Sequence, residues 1–151
     1  MRVALIGFGN VGRALARLLN EQGEAFPFRL VGIHTARHGT AIDPKGLPAD
    51  PAFGPAASSV AEFLAAVPAE VMVELTPLNP LTGEPAISNI RAAFHRRMHV
   101  VTANKGPIAH AYAALRRHAR ECGVELRFES TVMDGTPVLN QIGRASCRER
   151  V

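Results

Sequence analysis

Lys105 stands in the segment VVTANKGPIA (residues 100–109), between an apolar run and a proline. It is one of only two lysines, with Lys45, among 17 basic residues. A chain that otherwise uses arginine keeps a primary amine here. The chemical difference is the proton: a guanidinium holds it throughout the physiological range, whereas an amine gives it up when its pKa falls. Pro107 is suited to a first helical position, which puts Lys105 at the amino end of a helix. A cation there faces the positive end of the macrodipole, at a cost of about 0.3–1 kcal/mol. That position and partial burial both favour the neutral amine. Such a group suits proton transfer to a substrate oxygen, or a hydrogen bond to it, beside a hydride-transfer site.

A second constellation is GFGNVG, residues 7–12, which follows an apolar strand and opens an amphipathic helix. In that context Gly7 permits a tight turn, Gly9 lets the backbone approach a pyrophosphate, and Gly12 allows close helix–strand packing. Phe8, Asn10 and Val11 complete the loop. Phosphates seat at the positive end of the helix, so the segment is a dinucleotide-binding candidate. The ribose position lies about 20 residues further on, where an NAD-preferring site carries Asp or Glu. This chain has His34, Thr35, Ala36, Arg37 and His38 there. Arg37 is able to pair bidentately with a 2′-phosphate, which favours NADP, with NAD as the second choice.

These residues need elements to hold them, and the chain alternates accordingly. Apolar strands are expected at 2–6, 28–34, 70–75, 99–103 and 124–129. A helix from Val11 carries Ala14, Leu15, Leu18 and Leu19 on one face and stops at Gly23. Ser58 or Ser59 caps the next helix, with Glu62 at capping-box spacing from Ser59. Further helices are expected over 85–97 and 107–122, the latter with Ile108, Tyr112, Leu115 and Ala119 on one face. Residues 35–57, rich in Pro and Gly, suggest a long irregular loop. Strands separated by helices give an α/β, doubly wound, mostly parallel sheet of Rossmann-like type. Ligands in such sheets bind beyond the carboxyl ends of the strands, at GFGNVG, HTARHG, TPLNP, NKGP and STVMDGTP.

Composition narrows the function classes. Hydrophobic content of 47% and charged content of 20% are those of a soluble globular chain of 151 residues. No apolar run reaches the length of about 20 residues that spans a membrane. The start resembles no secretory signal, so a cytoplasmic location is expected. Cys122 and Cys147 make neither a disulfide framework nor a zinc site. A net charge of +4 with scattered arginines and no Trp lacks the motif that nucleic-acid binding calls for. The six histidines show no transition-metal spacing, while ESTVMDGTP (129–137) offers backbone carbonyls of the kind that ligate a hard cation.

IGFGNVGRAL, VVTANKGPIA and FESTVMDGTPV, in this order, resemble the amino-terminal nucleotide-binding half of the homoserine dehydrogenase family over residues 1–141. The resemblance implies NAD(P)-dependent interconversion of L-homoserine and L-aspartate 4-semialdehyde, a step towards threonine and methionine. It implies that Lys105 lies beside nicotinamide and substrate, that Thr76 contacts the cofactor, and that Arg37 holds an NADP phosphate. It further implies that Glu129, Val132, Asp134 and Thr136 supply oxygens to a sodium ion, and that the full enzyme is a homodimer or homotetramer. The family's catalytic and dimerisation region, with a second lysine, is expected to be missing. Residues 142–151, IGRASCRERV, look like a translated sequencing adapter, and without the catalytic and dimerisation region the chain is expected to be a truncated, inactive fragment. A dinucleotide-sensing module without catalysis, and another semialdehyde or amino-acid dehydrogenase on the same fold, are the alternatives.

Overall fold

The apolar run after Met1 forms β1 (Arg2–Ile6), which buries Val3 through Ile6. A strand covered on both faces needs a continuous apolar run, and this segment has one. In the computed structural model, which describes residues 1–131, β1 lies inside a six-stranded sheet. Val132, Asp134, Thr136 and the tail 142–151 lie outside the described residues. The parallel neighbours of β1 are β2 (Arg29–Thr35) and β4 (Val71–Glu74). Beyond β4 come β5 (His99–Thr102) and β6 (Leu126–Arg127), also parallel. β3 (Gly39–Ile42) closes the other edge, antiparallel to β2. The order β3-β2-β1-β4-β5-β6 is that of a doubly wound sheet, and it reverses direction between β1 and β4, where such sheets open a crevice.

By sequence, residues 35–57 form an irregular loop; the structure instead turns at 36–38 and lays Gly39–Ile42 along β2. Thr35 makes the turn. Its hydroxyl accepts from the His38 amide at 2.7 Å and donates to the Gly39 carbonyl at 3.3 Å. A four-residue strand that begins with glycine, amid proline-rich sequence, carries no readable period of two. The last strand is also shorter than 124–129, because Glu129–Thr131 close into a 3₁₀ turn.

One helix covers one face of the sheet over its first half. α1 (Asn10–Gln22) buries Gly12, Ala16 and Leu19, with Leu15 partly buried. This corrects the expected apolar face: Ala14 is exposed, and Val11 and Leu18 are 60% and 45% exposed. The helix is rotated to put Gly12 against the loop, where a Cβ would stand 3.0 Å from the Gly7 carbonyl oxygen. Close approach of the helix decides the face here, not hydrophobicity. Around it gather Val3, Leu5, Leu30, Ile33, Val71 and Val73. A register shift in the β1–β2 ladder after Val3 lets Leu30 and Ile33 share that side.

The other face is covered by α2 (Val60–Ala66), α3 (Ala86–His95) and α4 (Lys105–Cys122), which enclose Phe63, Met72, Ile90, Phe94, Val100 and Leu115. Ser59 caps α2 by accepting from the Glu62 amide at 3.1 Å, while the Glu62 carboxylate reaches back to the Ser58 amide at 2.7 Å. α3 is shorter than expected, ending before Arg97, whose φ is +54°. α4 begins two residues before Pro107, which its first turn tolerates because the proline lacks only an amide with no helical acceptor. Leu115 and Ala119 are buried, Ile108 and Tyr112 half-buried, as the helical spacing requires. Gly123 ends the helix in the left-handed conformation at φ +68°.

His34, at the end of β2, is 8% exposed. Its ring stacks on Phe63 with centroids 5.4 Å apart, and its Nδ1 lies 3.0 Å from the Thr40 hydroxyl. Burial lowers its pKa from the ordinary value of 6.5. The folded chain therefore favours the neutral ring more than the unfolded chain does, and stability falls as pH falls through 6.5, where the unfolded chain takes up a proton. Urea unfolding at pH values about one unit above and below that value is expected to show a smaller loss for His34→Gln than for the parent. Equal losses would mean that His34 does not titrate on unfolding.

Candidate functional site

The glycine loop meets the physical demands of a phosphate seat. Gly7 has φ +98°, and a Cβ on it would stand 2.6 Å from the Leu75 carbonyl oxygen, so only glycine fits. Its amide donates to the His34 carbonyl at 2.9 Å, which ties the loop to the end of β2. Gly9 is the N-cap of α1, and no side chain caps the helix there. Nothing beyond its chain neighbours lies within 4 Å of where its Cβ would be. The first amides of α1 thus sit at a positive helix end that no side chain caps, with room beside Gly9, an arrangement suited to anions. Asn10 and Val11 are exposed beside it. Phe8 plays a different part. It is 5% exposed and packs on Phe53, with ring centroids 5.7 Å apart. Its side chain anchors the loop to the core.

Across the crevice, the ends of β4 and β5 are joined through Glu74, which has no exposed surface. One carboxylate oxygen accepts from the Thr76 amide at 3.1 Å and from the Thr76 hydroxyl; the other accepts from the Thr102 hydroxyl at 3.4 Å. The Thr102 hydroxyl in turn accepts from the Asn104 amide at 3.0 Å. Asn104 is the N-cap of α4: its side-chain oxygen accepts from the Gly106 amide, and its Nδ2 donates to the Thr76 carbonyl, each at 3.1 Å. Burial raises the pKa of Glu74, and the bonds from Thr76, Asn104 and Thr102 act against that rise. The loop after Thr76 also seats on α4. A Cβ on Gly106 would stand 2.9 Å from the Gly83 Cα, and His110 Nε2 lies 2.8 Å from the Pro80 carbonyl.

The residues singled out by sequence gather at one end of the sheet. Gly7 to Gly12, Thr76 and Lys105 follow β1, β4 and β5, the strands at and beside the reversal point. Arg37 lies on the exposed turn between β2 and β3, at the rim of the same end. Lys105 is the first residue of α4, and its side chain is exposed rather than partly buried as expected. The reason is local: the capping residue Asn104 and the following Gly106 turn inward, and the residue between them is left outward. Glu129 is exposed in its 3₁₀ turn, and among the described residues no three His, Cys, Asp or Glu side chains form a metal cluster.

Three contributors carry no expected role from the sequence: Glu74, and Thr102 and Asn104, which lie within VVTANKGPIA beside Lys105. Glu74 leaves a signal, since an acidic residue inside the run EVMVEL is out of place in a strand buried on both faces. A cavity of about 800 Å³ opens elsewhere, at the amino ends of β1 and β2, between Arg2, Phe26, Arg29 and Lys45. It lies at the opposite end of the sheet from the glycine loop, Thr76 and Lys105.

Comparison with known proteins agrees with this geometry. Residues 7–129 match the family described as "Homoserine dehydrogenase, NAD binding domain". The homoserine dehydrogenase of Methanocaldococcus jannaschii is 34% identical over 93% of this chain and 47% of its own length. The NAD(+)-dependent homoserine dehydrogenase of Pseudomonas canavaninivorans is 37% identical over 91% of this chain and 45% of its own. Among solved structures, a hyperthermophilic archaeal homoserine dehydrogenase mutant in complex with NADPH superposes with a TM-score of 0.73 at 29% identity, covering 91% of this chain and 46% of that one. The homoserine dehydrogenase of Thermoplasma acidophilum gives a TM-score of 0.73 at 26% identity, with 87% and 43% covered. The chain spans about half the length of the curated relatives it matches. From the glycine loop through the last strand of the sheet, the chain belongs to the homoserine dehydrogenase family and carries its NAD-binding domain.

Proposed function

We propose that this domain serves an NAD(P)-dependent homoserine dehydrogenase, interconverting L-homoserine and L-aspartate 4-semialdehyde. The single observation that carries the proposal is the uncapped amino end of α1 at the reversal point, on the same end of the sheet as Thr76 and Lys105. The bound dinucleotide supplies the hydride acceptor for the alcohol carbon and the hydride donor for the aldehyde carbon. The protein's residues do the rest. The amides of the glycine loop hold the pyrophosphate, Thr76 contacts the cofactor, and Lys105 bonds the reacting oxygen and moves its proton. A substrate-binding part, with which this domain covers the relatives' full length, completes the site. A cytoplasmic enzyme of threonine and methionine synthesis, assembled as a homodimer or homotetramer, accords with this function.

NADP is the cofactor we assign, through Arg37. The end of β2 presents no carboxylate to a ribose 2′-hydroxyl: His34 and Thr35 are buried, and the exposed turn beyond them carries Ala36, Arg37 and His38. Glu129, exposed in its 3₁₀ turn, is the described residue that would offer an oxygen to a sodium ion.

Calorimetry with NADPH and NADH is expected to show tighter binding of NADPH to this chain, and Arg37→Ala should remove most of the difference. Equal affinities in the parent, or an unchanged preference in Arg37→Ala, would overturn the assignment. The Lys105 role is tested in an enzyme that joins this domain to the substrate-binding part. Lys105→Arg keeps the charge and loses the small titratable amine. It should lower kcat/KM by about 100-fold or more, the usual range for a lost acid–base group, while changing cofactor affinity little. Near-normal turnover would leave Lys105 with positioning alone.

A further inference from the structure

We propose that Glu74 is the positioning residue of the dinucleotide site, its buried carboxylate locking the end of β4 to the start of α4 so that Thr76 and Lys105 keep a fixed separation. The proposal rests on the dinucleotide reading of the crevice. Its basis is a closed circuit of hydrogen bonds. Glu74 accepts from Thr76 on one oxygen and from Thr102 on the other; Thr102 accepts from Asn104, and Asn104 donates back to the Thr76 carbonyl. Four residues from two strand ends thus close a ring, with Glu74 its only carboxylate.

Bonds to the ring flank Lys105 on both sides in the chain. The amide before it, that of Asn104, donates to Thr102; the amide after it, that of Gly106, donates to the Asn104 side chain. Lys105 therefore has a fixed place although its side chain is exposed. On the opposite side, the residue following Glu74 presents the carbonyl that Gly7 packs against. Glu74 is also the last paired residue of β4 in both of its ladders, opposite Ile6 and Thr102. It is the point at which the glycine loop, the cofactor-contacting threonine and the lysine helix share one support.

Two carboxyl oxygens suit this place because the neighbours that meet them are donors. Two donors meet one oxygen and a third meets the other. Glutamine at this position has a single acceptor oxygen; its NH₂ would make the Thr102 hydroxyl accept twice, from glutamine and from Asn104, and leave the hydroxyl proton without the acceptor it has in Glu74. A purely apolar side chain would leave the Thr76 amide and two hydroxyls without this acceptor in a water-poor place, which is costly. The reach of the side chain also matters, since the two threonines belong to different segments.

The test compares Glu74→Gln, Thr102→Val and Thr102→Ser with the parent, using the 151-residue chain. Two readouts are taken: amide hydrogen exchange by NMR, and NADPH affinity. Exchange at Thr76, Asn104 and Gly106, measured relative to the β1 amides, should be at least tenfold faster in Glu74→Gln and in Thr102→Val. Thr102→Ser keeps the hydroxyl and should behave as the parent. NADPH should bind about tenfold more weakly to the first two variants. The double variant should bind little more weakly than either single one, because both break the same ring. Should Glu74→Gln not fold, the contrast between Thr102→Val and Thr102→Ser decides the matter by itself. Unchanged relative exchange at the three amides would overturn the proposal, as would undiminished NADPH affinity in the variants. If the parent chain binds no NADPH, the dinucleotide reading fails, and the exchange readout still decides whether Glu74 fixes the start of α4.

Discussion

Glu74 brings a carboxyl group into a place with no exposed surface, and desolvating an ion costs on the order of several kcal/mol unless other dipoles replace the water. At this position the replacement comes from hydroxyls and amides, and it sets the arrangement around it. Thr76 has to turn back so that its amide and hydroxyl both reach one oxygen. Thr102 has to end β5 level with β4, as the ladder from Glu74 to Thr102 records. Asn104 then bridges the two ends while capping α4. Removing the carboxylate would leave three donors to find new partners.

The other side of the crevice works by the opposite device. Where Glu74 fills its surroundings with donors, the amino end of α1 withholds acceptors. A glycine N-cap offers no side-chain oxygen to the first amides of the helix, although Ser, Thr, Asp or Asn would stabilise it better. α2 and α4 both have such caps, from Ser59 and Asn104. The missing cap at α1 leaves donors for an external anion, and Gly9 leaves the space for it to approach. The two sides meet where Gly7 packs on the Leu75 carbonyl.

Much of this is legible in the sequence. The glycine pattern between an apolar strand and a helix is specific because each glycine answers a separate steric demand, and Gly7 and Gly12 meet those demands in the structure. The parallel order follows from strands alternating with helices. What is not legible has physical causes. β3 is four residues long and begins with glycine, too short for a period to show. The face of α1 differs from the expected one because helical spacing measures hydrophobicity, whereas close approach at Gly12 fixes the rotation. Lys105 stands at the start of its helix as expected but is not partly buried, because spacing does not show which way a first-turn side chain leaves the cap. The ring around Glu74 depends on three segments meeting in space, and only the acidic residue within EVMVEL hints at it.

The family membership and the site geometry converge on one central claim, that a dinucleotide lies across the reversal point with its phosphates on the amino end of α1. An NMR titration of this chain with NADPH tests it most directly, since each amide reports its own surroundings. The largest shifts are predicted at Gly9 to Gly12 and at Thr76, with smaller ones at the turn around Arg37. Shifts confined to the cavity between Phe26, Arg29 and Lys45, at the other end of the sheet, or no saturable shifts at all, would contradict the claim.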